Sequence, residues 1–151
     1  MTIRPAATPP QPKVTHRELP KSGCHIVVTE RGVRQTLEVL DSEGRLLSVI
    51  SDSLLDPTVV RGSWRGVRDG ETWTLVVGRS LAGPVQVTLS AGRSRLARRQ
   101  LEVVPEQCGG FWIAEAAFAA SRVSVSVDGV AAGSASVQPL NPLPPDQREP
   151  A

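Results

Sequence analysis

The chain has 151 residues, enough for one domain with its own apolar core and short for two. Its formal net charge of +2 creates no field strong enough to call for nucleic acid or an anionic membrane as a partner. The only lysines are Lys13 and Lys21, both ahead of the expected domain, so that domain lacks an amine for Schiff-base or general-base chemistry.

The first stretch, MTIRPAATPPQPKVTHRELP, is dense in proline, which removes backbone donors and favours extended, solvated chain. Residues 1–21 are therefore expected to be a disordered tail. They contain no apolar run of signal-peptide length, and nowhere does the chain approach the roughly 18 to 20 apolar residues of a membrane span. A cytoplasmic protein with no membrane span is expected.

From Ser22 onward the pattern changes to period two, which places apolar side chains on one face of a strand. CHIVVTE aligns Cys24, Ile26 and Val28, and QTLEVL aligns Leu37 and Val39. After the turn signals Ser42-Glu43-Gly44 and Asp69-Gly70, the segment TWTLVVG aligns Trp73, Leu75 and Val77. Ala82-Gly83-Pro84 then leads into GPVQVTLS, with Val85, Val87 and Leu89 on one side. Short connections of this composition join antiparallel neighbours.

Next comes GRSRLARRQ, the densest charge feature, with Arg93, Arg95, Arg98 and Arg99. It reads as an edge strand guarded by charge, or as a docking strip for an acidic partner, to which the planar guanidinium fork is suited. No aromatic interleaves with the arginines as single-stranded nucleic acid would require. In EQCGGFWIAEAAF, Gly109-Gly110 turns the chain into a strand expected to pair as a hairpin with SRVSVSVDG. Phe111 and Ile113 share the core face, Trp112 and Ala114 the other, and Glu115 falls at an exposed end. Trp112 is then covered by a proline-rich tail or left partly open, which makes it, with Trp64, a candidate partner contact. Beyond Gln138 the proline-rich QPLNPLPPDQREP reads as a second disordered tail, residues 139–151.

Tests for chemistry return no site. Cys24 and His25 are adjacent, and adjacent strand residues face opposite ways, so the imidazole cannot activate that thiol. Serines occur as GSWRG, GRSLAG and GRSRL, none of them the G-x-S-x-G elbow. Phosphate-binding loops, zinc spacings and calcium loops are absent from the sequence, so no catalytic residue, metal or cofactor is expected. In a reducing compartment Cys24 and Cys108 are small buried hydrophobes; a disulfide between them is the alternative, contributing roughly 4.5 kcal/mol on the chain-entropy estimate.

The stretch WRGVRDGETWTLVVGRSLAGPVQVTLSAGRSRLARRQLEV, followed by GGFWIAEAAFAASRVSVSVDG, resembles a β-sandwich module of actinobacterial proteins. The shared features are a glycine-containing V-x-G segment before a valine and threonine hairpin and a final V-x-V-x-x-D-G hairpin, over residues 64–129. The resemblance implies a β-sandwich and a high-GC bacterial source, and no activity. Together these readings predict an all-β, immunoglobulin-like antiparallel sandwich of seven to nine strands over residues 22–138. The expected role is a non-enzymatic module for an unidentified protein partner; a carbohydrate- or small-ligand-binding sandwich is the alternative.

Overall fold

The computed structural model describes residues 11–52, 58–92 and 98–140. In chain order its strands are β1 (Lys13–Glu18), β2 (His25–Arg31), β3 (Arg34–Leu40), β4 (Leu46–Ser51), β5 (Val60–Arg68), β6 (Glu71–Arg79), β7 (Val85–Ala91), β8 (Arg99–Val103), β9 (Glu106–Cys108), β10 (Phe111–Ala116), β11 (Arg122–Val127), β12 (Val130–Ser136) and β13 (Gln138–Pro139). No helix occurs among the described residues, and none is long and apolar enough to cross a membrane. The protein is all-β.

The strands form three sheets, ordered β1-β2-β3-β4, β13-β5-β6-β10-β9 and β12-β11-β7-β8. Every pairing is antiparallel except that of β13, which runs parallel to β5 at Trp64 and Arg65. The second sheet lies in the middle, because each of its faces carries a separate apolar cluster. On one face Trp64, Trp73, Leu75, Val77, Phe111 and Ile113 pack with Ile26, Val28, Leu37 and Val39 of the first sheet. On the other, Val76, Trp112, Ala114 and Ala116 pack with Val87, Leu89, Val123 and Val125 of the third. The arrangement is thus three layers and two cores.

This differs from the expected seven to nine strands in a two-sheet sandwich. The reason lies in β6 and β10. In each, residues on both faces are buried: Thr74, Val76 and Gly78 as well as Trp73, Leu75 and Val77, and Trp112 and Ala114 as well as Phe111 and Ile113. Strands of that kind read as continuous apolar runs and need a layer on each side. For the same reason β10 does not form a hairpin with β11. It pairs with β6 and β9 in the middle sheet, while β11 belongs to the third. The structured region also begins ahead of Ser22: β1 pairs along the whole of its length with β2, and Leu19 joins the first core. Lys13 and Lys21 accordingly lie in β1 and in the turn that follows it.

Each tryptophan is seated on a glycine. A Cβ on Gly78 would overlap the indole of Trp112, its direct cross-strand partner. Gly66 stands in the same relation to Trp73, and Gly62 receives the ring of Trp64 two residues along its own strand. Glycine here provides room for a ring to lie against backbone, which fills the gap that glycine would otherwise leave in a sheet. A buried ring of this size contributes roughly 4 to 6 kcal/mol of gross hydrophobic free energy.

Candidate functional site

One end of the first core opens into a cleft of about 660 Å³, within the usual range for small-ligand sites. Its floor is the buried pair Cys24 and Trp73, with the half-buried Leu47 and Leu140 beside them. The flanks are Leu46 on β4 and Val67 on β5, whose side chains are largely exposed. Three connections from distant parts of the sequence meet here: the Leu19–Cys24 turn, the Asp41–Arg45 turn and the β5–β6 hairpin.

The charges on the rim are committed to the turns. Asp41 accepts hydrogen bonds from the Glu43 N–H (2.9 Å), the Arg45 N–H (2.8 Å) and Arg45 Nε (2.7 Å). Desolvation pushes its carboxyl up, but these bonds and the Arg45 charge outweigh that and hold it below the ordinary carboxylate range. Arg45 also reaches Glu43 at 3.1 Å. Arg68 donates from Nη1 to the Pro20 carbonyl at 3.2 Å. Behind the first turn, Glu115 accepts from the Lys21 N–H (3.0 Å), the Ser22 N–H (2.8 Å) and Ser22 Oγ (2.5 Å). Glu115 is therefore not the exposed strand end that the sequence suggested. It is half-buried, because β10 runs on beneath the β1–β2 turn.

The thiol at the floor is a poor nucleophile. Burial pushes Cys24 above the ordinary thiol value, and the Glu115 and Asp41 carboxylates add to the shift against the opposing Ser22 hydrogen bond and Arg68 charge. Burial does the same to Cys108, aided by Glu106 and opposed by Arg17. Reactive cysteines sit in the opposite kind of surroundings. Both cysteines are free and buried. His25 lies on the outer face of β2, stacked on His16 with ring centroids 5.3 Å apart, away from the inward-facing Cys24. Among the described residues no three His, Cys, Asp or Glu side chains converge as a metal site.

The candidates read from sequence are scattered. Trp112 is 1% exposed and Trp64 7%, so neither ring has a face free for a partner: Trp112 is closed in by the third sheet, Trp64 by the first. Arg98 and Arg99 are exposed at the start of β8, an edge of the third sheet, and the Arg99 guanidinium stands 5.6 Å from the centre of the Phe118 ring, within cation–π range. Arg93 and Arg95 lie outside the described residues. The cleft lining includes none of the four described candidates, Trp64, Arg98, Arg99 and Trp112. It was not legible in the sequence because its residues come from three turns with no shared spacing; the one local hint was exposed Leu46 and Val67 next to charged neighbours.

No protein-family model, curated protein or solved structure matches this chain.

Proposed function

We propose that the chain is a non-enzymatic interaction module that offers a strand edge to an extended segment of a protein partner. The observation that supports this is the character of β12. It ends the third sheet, all seven of its residues, VAAGSAS, are uncharged, and six are exposed. Among the described residues no further strand pairs with it, although Gly133 lies against Val59 and the Ser136 carbonyl accepts from Ser63 Oγ; an uncharged edge is a template for a further strand. The other long edges are different: β1 carries Lys13, Arg17 and Glu18, and β8 carries Arg99 and Glu102. β4 is also uncharged, but only three of its six residues are exposed, and it frames a shallow pocket with Thr58, Val60 and Arg61. A bulge leaves Ala132 without a counterpart on β11, which limits the docking register to a few residues.

In this reading the middle and third sheets, nine strands in all, are the immunoglobulin-like part, of which the actinobacterial resemblance covers residues 64–129, ahead of β12 and β13, and the proline-rich ends serve as linkers or further contacts. The cytoplasm is the compartment that the reduced thiols fit. The cleft favours one alternative, a small-ligand or carbohydrate-binding module.

Partner capture from a native extract, with the unmodified chain and an Ala132→Lys/Ser134→Lys variant, tests the proposal. Capture should be lost in the variant, and amide exchange on the captured complex should show new protection over residues 130–136. Protection over Asp41–Arg45 and Gly66–Arg68 instead would transfer recognition to the cleft, and an intact signal in the variant would rule the edge out.

A further inference from the structure

We infer that the Pro20–Gly23 turn is a gate over the floor of the cleft, held shut by two side chains of the middle sheet, Glu115 on β10 and Arg68 on β5. The turn's own backbone bonds close only its base: Gly23 N–H donates to the Leu19 carbonyl at 2.9 Å and Leu19 N–H to the Cys24 carbonyl at 2.8 Å. The N–H groups at its tip, those of Lys21 and Ser22, are taken up by the Glu115 carboxylate. Ser22 Oγ links the tip to what lies beneath, donating to Glu115 while accepting the Cys24 N–H at 3.1 Å.

Arg68 grips the turn from the cleft side. It donates to the Pro20 carbonyl, and its guanidinium lies so close over Gly23 that a Cβ there would stand 2.8 Å from Nη1. Gly23 also has a φ of +72°, a left-handed backbone that favours glycine, and a side chain there would displace the arginine from its place over the turn. Pro20 and Lys21 are exposed, Ser22 and Gly23 are buried beneath them, and Leu19, the residue before the turn, is anchored in the core. A segment fastened by a few polar contacts between anchored ends opens at lower free energy than the domain unfolds. Cys24 lines the cleft floor yet is only 1% exposed, and Ser22 stands beside it in the wall, so opening of the turn exposes the Cys24 thiol and widens the cleft toward the first core. The gate concerns the cleft alone and stands independently of the β12 reading.

The test is the rate at which a thiol reagent labels Cys24, in a Cys108→Ser background at fixed pH, measured against urea. Labelling below the unfolding transition should be nearly independent of urea, as local opening exposes little surface. Glu115→Gln and Arg68→Met should each speed it by about tenfold, as expected for loss of a hydrogen bond to a charged group, with a smaller change in the global unfolding midpoint. Labelling that follows global unfolding, with its full urea slope in all three chains, would overturn the gate. Should a variant fail to fold, amide exchange of Lys21 and Ser22 in the unmodified chain decides: urea-independent exchange supports the gate, and exchange only through global unfolding overturns it.

Discussion

The indole of Trp112 occupies the space that a side chain at Gly78, its cross-strand partner, would need. The two positions are thus one packing unit in the second core. Trp112→Ala is expected to cost roughly 3 to 5 kcal/mol, carried by packing, since its N–H meets no acceptor among the described residues. Gly78→Ala forces the ring from its seat and should cost at least 1 to 3 kcal/mol as an overpacking substitution. The double variant should lose clearly less than the sum, because the new methyl then enters the cavity left by the ring. Urea unfolding of the four chains measures the coupling, and strict additivity would show that the two residues do not share a site.

β1 is the first strand among the described residues, and truncation can weigh its contribution. Removing residues 1–20 strips β1 from β2 and takes Leu19 out of the first core. The loss of that leucine alone is worth about 2 to 5 kcal/mol, so the melting temperature should fall by roughly 10 °C or more. Removing residues 1–10 leaves β1 paired with β2 and Leu19 in the first core and should change it little. Equal melting temperatures for the two truncations would mean that β1 adds nothing to stability.

Reading β1 as tail had a physical cause. Its core-side positions, opposite Val28 and Ile26, are Thr15 and Arg17, while Val14 points outward and is 58% exposed, so the alternation that revealed β2, β3, β7 and β11 is reversed there. β12 escaped for another reason, since VAAGSAS has no large side chain to alternate. The third layer was in fact encoded in Leu75-Val76-Val77 and in Phe111 to Ala114, apolar runs too continuous for a strand with one wet face. The split of Phe111 and Ile113 from Trp112 and Ala114 was legible because it depends only on the pleat. Glu115 was misplaced because its partners, Lys21 and Ser22, are more than ninety residues away in sequence, beyond what any local pattern can convey.

The β3–β4 turn depends on the Asp41 carboxylate, and its charge can be tested by acid. Its folded pKa lies below the unfolded one, so the stability it contributes is present above pH 4 or so and is lost as pH falls through the folded value. Asp41→Ala should cost about 1 kcal/mol at neutral pH through loss of the turn's hydrogen bonds, and its stability should fall less steeply than that of the unmodified chain in acid. Parallel acid limbs for the two proteins would show that the turn does not hold the proton equilibrium.

The alkaline limb isolates the two thiols. The chain has no tyrosine and only two lysines, so between pH 8 and 10 few groups other than Cys24, Cys108 and the N-terminal amine titrate. Burial raises both thiols in the folded state, so above the ordinary thiol pKa of about 8.5 the native chain holds protons that the unfolded chain has released. The sign follows from linkage: stability is complete below that value and declines as pH rises toward the folded pKa values. Urea midpoints of the unmodified chain should therefore drop from pH 8 to 10, while those of a Cys24→Ala/Cys108→Ala variant, lower at neutral pH, should stay nearly level over the same range. A variant that declines as steeply as the unmodified chain would mean that the thiols ionise as readily folded as unfolded, and that the floor of the cleft is wetter than its burial implies.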